Sequence, residues 1–105
     1  MMATNMVMTC RKLINALNSK GFMLTFNVKE FMGIEGLTHK YYVLSQAVWN
    51  DQRNRYDNND LYGTISVIRM VMYLRDMWYD YNGWELPMDQ PKWNKIREEL
   101  RAKNG

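Results

Sequence analysis

The chain has 105 residues, 47% of them hydrophobic and 24% charged, with a formal net charge of +3, the profile of one ordinary globular domain. Six Gly and two Pro exclude a collagen-like or low-complexity chain, and an aromatic content of 13% argues against disorder. The lone Cys10 can make neither an intramolecular disulfide nor a thiolate metal site, and the lone His39 leaves almost nothing for a zinc site or a triad.

Thr9 caps a predicted helix that runs to about residue 20, with Leu13, Ile14 and Leu17 on one face and Gly21 at its end. Residues 1–8 ahead of it are expected to be flexible. Phe22, Leu24, Phe26 and Val28 alternate with Met23, Thr25 and Asn27, which predicts a short half-buried strand near 22–26. Asn27 and Glu30 have capping-box spacing and predict a short helix over 28–32. Gly33 and Gly36 then punctuate a turn, Gly-Ile-Glu-Gly.

Thr38 caps the next predicted helix, about 39–52, on which Leu37, Tyr41, Leu44 and Val48 share one stripe. Residues 53–60 are polar and turn-rich. From Leu61 onward the pattern supports two readings. Either one helix spans 61–81, or a strand feeds a helix starting near Val67, since Leu61, Gly63, Ile65 and Val67 alternate with polar or small neighbours. The adopted reading is a helix over at least 66–81, ended by Asn82-Gly83 and central to the domain because its apolar face is wide. A last helix starts after Asp89, with Pro91 in its first turn, and runs to about Ala102. The expected fold is mainly α: one domain over 1–105, a compact bundle of four or five helices around the 66–81 helix, with a short β-strand near 22–26.

No arrangement of residues suggests catalysis. Cys10 and His39 are the only nucleophile and base of their kinds, and Cys10 shares a helical face with Leu13, Ile14 and Leu17, where packing is its ordinary role. Asp76 and Asp80, four residues apart, fit the polar edge of a buried helix. A non-enzymatic protein without cofactor or metal is expected. The longest apolar stretch, 65–81, is broken by Arg69, Arg75, Asp76 and Asp80, so no membrane span is predicted. Residues 1–8 lack the features of a secretory signal, and the expected compartment is the cytoplasm.

The region 24–50 reads in order as strand, short helix with Glu30-Phe31, turn through Gly36-Leu37-Thr38, and longer helix. It resembles the helix-turn-helix of DNA-binding domains, in particular the winged-helix variety. The resemblance implies that Gly36 enters the turn, that Leu37 anchors the two helices, and that Thr38, His39 and Lys40 stand at the groove-facing end of a recognition helix. It departs from that family at Met32, where a small residue is usual, at Glu35, and in the register that buries Tyr41 rather than Tyr42.

Two other segments carry binding chemistry. The run Asn50-Asp51-Gln52-Arg53-Asn54-Arg55 offers Arg53, Asn54 and Arg55 to phosphates and base edges. The cluster around Met77–Trp84, with Met88 and Trp93, offers Tyr79, Tyr81, Trp84 and Trp93 to a protein partner. Charge is uneven: residues 9–55 carry net +4, 56–89 net −4 and 90–105 net +3. The first expectation is a nucleic-acid-binding module that takes double-stranded DNA. Its size and its eleven Asn beside four Ala suit a regulator of a phage or mobile element. The second is a modulator or inhibitor of a host or phage protein, for example a bacterial defence nuclease, with no DNA role. A homodimer is compatible with both. A DNA-binder should gather Thr38, His39, Lys40 and the basic loop on one face, whereas a protein-binder should expose a contiguous apolar patch above roughly 400 Å².

Overall fold

The computed structural model describes residues 5–104. Along the chain come α1 (Met6–Asn18), β1 (Leu24–Met32), β2 (Thr38–Asn50), β3 (Arg55–Thr64), α2 (Val67–Asn82) and α3 (Gln90–Asn104). The strands form one antiparallel meander in the order β1-β2-β3. The fold is therefore α+β, three helices and a three-stranded antiparallel sheet, and the expected mainly α, all-alpha character with a bundle of four or five helices is overturned.

The correction falls on residues 28–60, and each part has a physical cause. In β1 the strand runs on to Met32, paired with β2 throughout, so Asn27 and Glu30 cap no helix. The expected helix over 39–52 is β2, rich in the aromatic and β-branched residues that suit a pleated surface. Its consecutive Tyr42, Val43, Leu44 and Ser45 are all buried, which erases the period-2 signal. The stripe Tyr41, Leu44, Val48 is split between the two faces of the sheet, since neighbouring parities point opposite ways. In β3 the Asp- and Asn-rich run reads as a loop, yet it is held as a strand from the side-chain level. Ser45 Oγ donates to Asp60 at 2.7 Å, Asn50 Nδ2 donates to Asp57 at 2.7 Å, and Trp49 packs edge-on against Tyr56 at 5.1 Å.

The Gly-Ile-Glu-Gly turn is where the sequence places it, but it closes a hairpin. Gly36 N–H donates to Gly33 O at 3.0 Å and Gly33 N–H to Leu37 O at 2.9 Å. Gly36 sits at φ +81°, a conformation that a side chain would strain.

The helices lie closer to expectation. α1 starts earlier than predicted, because Asn5 is its cap and accepts from Val7 N–H at 3.0 Å, while Thr9 is buried a turn inside. Of the expected flexible segment 1–8, residues 1–4 lie outside the described residues and 6–8 belong to α1. α2 has Ser66 as its cap and Gly83 at its end, and the strand-then-helix reading of 61–81 is the one the structure adopts. α3 starts one residue after Asp89.

Met6, Cys10, Leu13 and Leu17 form one stripe of α1, and Met70, Val71, Leu74 and Trp78 form one of α2. Both stripes pack with Leu24, Tyr42 and Leu44 from a single face of the sheet. α3 adds Trp93, Ile96 and Leu100 to the same core. Trp93 Nε1 donates to Tyr79 Oη at 2.9 Å, which anchors α3 to α2. Among the described residues no helix packs on the opposite sheet face.

Candidate functional site

Element lengths create the surface of interest. β2 has 13 residues, which at ~3.3 Å per residue make it roughly 40 Å long. α1 and α2 have 13 and 16 residues, or roughly 20–24 Å at 1.5 Å each. The helices cover the middle of the sheet, and a hairpin overhangs at each end. The molecule is accordingly a slab of 51 × 43 × 19 Å.

The first arm is the end of the β1–β2 hairpin, residues 29–41. Register pairs Phe31 with His39 and Met32 with Thr38. On the open face the Phe31 and His39 rings stack at 5.4 Å, and His39 Nε2 bonds to Glu35 across the turn. That bond holds the Glu35 carboxyl below its usual pKa. Around this frame, Phe31 is 45% exposed, Met32 71%, Leu37 64%, and Ile34 entirely so. These side chains wrap the hairpin tip, with Phe31 on the open face and Met32 on the helix side of the strand. Tyr41 continues the open face inward, its ring lying across β3 where Gly63 leaves room; a Cβ there would run into the Tyr41 hydroxyl.

The second arm is the end of the β2–β3 hairpin, residues 47–58, where a polar turn sits beside Val48, Trp49 and Tyr56, which are 43%, 47% and 56% exposed. Asn50 Oδ1 accepts from Gln52 and Arg53 N–H at 3.1 and 3.2 Å, and Trp49 Nε1 donates to Asp51 at 2.6 Å. Asn54 takes φ +53°, which Asn tolerates better than most residues. Arg55 pairs with Asp57 at 3.3 Å.

The six residues expected to meet nucleic acid are not brought together. Thr38, His39 and Lys40 stand on β2 in the first arm, on a strand rather than at a helix terminus. Arg53, Asn54 and Arg55 stand at the tip of the second arm, at the far end of the same strand. The expected protein-contact residues also divide. Trp93 is fully buried and Tyr79 half-buried beneath it, whereas Tyr81 and Trp84 are exposed. Trp84 borders a groove of about 680 Å³ between α2 and α3, with Arg75, Arg97 and Arg101.

Sequence reasoning missed Phe31, Met32, Ile34 and Leu37 as surface residues. It placed Phe31 on a short helix and Leu37 as the anchor between two helices, and the Gly-Ile-Glu-Gly turn is the signal that would have exposed them. Cys10 is fully buried, and burial pushes its thiol up to about 12, with Arg11 only partly offsetting this. Among the described residues no group of three or more His, Cys, Asp or Glu is placed to hold a metal, and no helix is long and apolar enough to cross a membrane. The chain matches no protein-family model, and neither curated proteins nor solved structures give a significant match.

Proposed function

We propose that this is a non-catalytic protein-binding module that docks its partner through the tip of the first arm. The observation carrying this reading is the exposed apolar set Phe31, Ile34 and Leu37 at the end of the β1–β2 hairpin. Holding such a patch in water is unfavourable by roughly 25 cal/mol per Å², so a partner that covers it recovers that energy. The fitting partner has a concave apolar surface into which a narrow hairpin inserts. Modulation by occupying another protein's groove is the activity this geometry serves.

Duplex reading is the less supported alternative. It requires the Thr38–Lys40 set and the Arg53–Arg55 set on one surface, and roughly 40 Å of strand separates them. Two arginines at one tip would neutralise few phosphates, and affinity depends on their number.

The test is affinity capture from the native host after nuclease treatment, with wild type and two variants side by side. The expected result is one protein retained by wild type and by Arg53→Ala/Arg55→Ala, and lost from Ile34→Asp/Leu37→Asp. Capture that disappears on nuclease treatment, or that follows the arginines, overturns the proposal.

A further inference from the structure

Backbone hydrogen bonding leaves one edge of the sheet open. Met23 O accepts from Ala47 N–H at 3.1 Å, and Gly33 N–H donates to Leu37 O at 2.9 Å. Odd-numbered residues of β1 therefore bond β2, and even-numbered ones turn their N–H and C=O outward. At Leu24 both outward groups are taken by the Asn18 side chain, at 2.6 and 3.0 Å. At Phe26, Val28, Glu30 and Met32 they have no partner among the described residues. The β3 edge differs: a bulge opposite Leu44 and Ser45 interrupts it, and Asp57, Asn58, Asn59 and Asp60 line it, features that discourage strand addition. β1 has neither a bulge nor a proline.

We propose that this β1 edge pairs antiparallel with the β1 edge of a second copy of the chain, centred on Val28. Charge selects that register. With Val28 opposite Val28, Lys29 faces Asn27 and Glu30 faces Phe26. Shifted one residue forward, Lys29 opposes Lys29; shifted one more, Glu30 opposes Glu30, and like charges directly opposite are unfavourable. Shifted one residue back, Glu30 needs the groups of Leu24, which Asn18 occupies.

The side chains are complementary in the same register. Arg11 lies over the Phe26 ring at 5.4 Å, on the helix side of β1. Glu30 of the second copy, opposite Phe26 on that side, comes beside the Arg11 guanidinium. Each first arm has an uncovered helix-side surface at Val28 and Met32, and each would lie against the other copy's α1. There a groove of about 340 Å³ between α1 and β1, bordered by Ile14, Asn18 and Leu24, receives Met32. The contact is self-complementary, as a two-fold interface requires. Pairing ends at Glu30 on each strand, so the turn 33–37 lies beyond the paired segment.

Sedimentation velocity on the purified full chain tests this across an about hundredfold concentration range. The expected species is twice the 12.6 kDa chain mass. Val28→Pro removes an outward N–H and the exposed Val28 side chain but no β2 ladder bond, so it should give a monomer with unchanged far-UV circular dichroism. Glu30→Arg should weaken the dimer about tenfold, and adding Arg11→Glu should restore it. A monomeric wild type, a dimer indifferent to Val28→Pro, or a charge swap without recovery overturns the proposal. If Val28→Pro fails to fold, the charge-swap pair decides alone. No partner protein is present in this experiment, so its failure is separate from failure of partner capture.

Discussion

The β1–β2 hairpin closes through Gly33–Leu37 and carries Phe31, Met32, Ile34 and Leu37 into solvent, while the β2–β3 hairpin closes through Asp51–Asn54 and carries Arg53, Asn54 and Arg55. Both grow from β2, and both overhang the helices for the same reason of length. They differ in how far each satisfies itself. The second arm binds its own groups: Asn50 holds the turn, Trp49 bonds Asp51 and packs on Tyr56, and Arg55 pairs with Asp57. In the first arm the corresponding contacts are those of His39 with Glu35 and with the Phe31 ring. Met32, Ile34 and Leu37 at its end are largely exposed. This difference is the ground for proposing the first arm, rather than the second, as the contact surface.

The largest expected effect breaks the first arm. Ile34→Asp/Leu37→Asp should weaken partner binding by about 100-fold or more, since charges at the centre of a desolvated contact are costly. Thermal stability should stay within a few degrees of wild type, because neither side chain touches the core; a large fall in the melting temperature would show the tip to be structural. Next in size is the core beneath both arms. Leu74 is fully buried, so Leu74→Ala should cost ~2–5 kcal/mol in denaturant unfolding without altering the affinity of the folded fraction. A near-neutral result would make α2 peripheral.

A smaller effect concerns the aromatic pair of the second arm. Trp49→Ala should destabilise by about 1–2 kcal/mol through lost edge-on packing against Tyr56 and loss of the Asp51 bond, with binding untouched. Loss of partner binding instead would show the second arm to be part of the interface. The smallest effect belongs to Arg53→Ala/Arg55→Ala. An exposed ion pair contributes little, so stability should move by no more than about 0.5 kcal/mol. The wild-type gel-shift signal at ~50 mM salt, where phosphate contacts are strongest, should already be absent. A duplex complex lost on substitution of the arginines would return the second arm to a binding role.

The helices were legible in the sequence because each is buried on one side. Leu13, Ile14 and Leu17 on α1, and Met70, Leu74 and Trp78 on α2, keep a helical period that nothing else disturbs. The strands hid for opposite reasons. β2 buries both faces at its centre, so Tyr42 to Ser45 show no alternation, whereas β3 exposes much of both and carries Asp and Asn, which read as loop. The turn Gly33–Gly36 was visible as a turn, but a glycine in the left-handed region serves a hairpin and a helix-turn-helix alike. What joins residues 38–40 to 53–55, or keeps them apart, is strand geometry, and a helix over 39–52 would have brought them about twice as close, at 1.5 Å per residue instead of ~3.3 Å. The exposed apolar tip was missed because Phe31 and Leu37 are apolar, and apolar residues beside a turn are read as core.

The most direct test places a photo-crosslinking residue at position 37 in one preparation and at position 53 in another, each irradiated in nuclease-treated extract of the native host. The account predicts one covalent protein adduct from position 37 and none from position 53. An adduct from position 53 alone, or a nucleic-acid adduct from either position in extract left untreated, would contradict it.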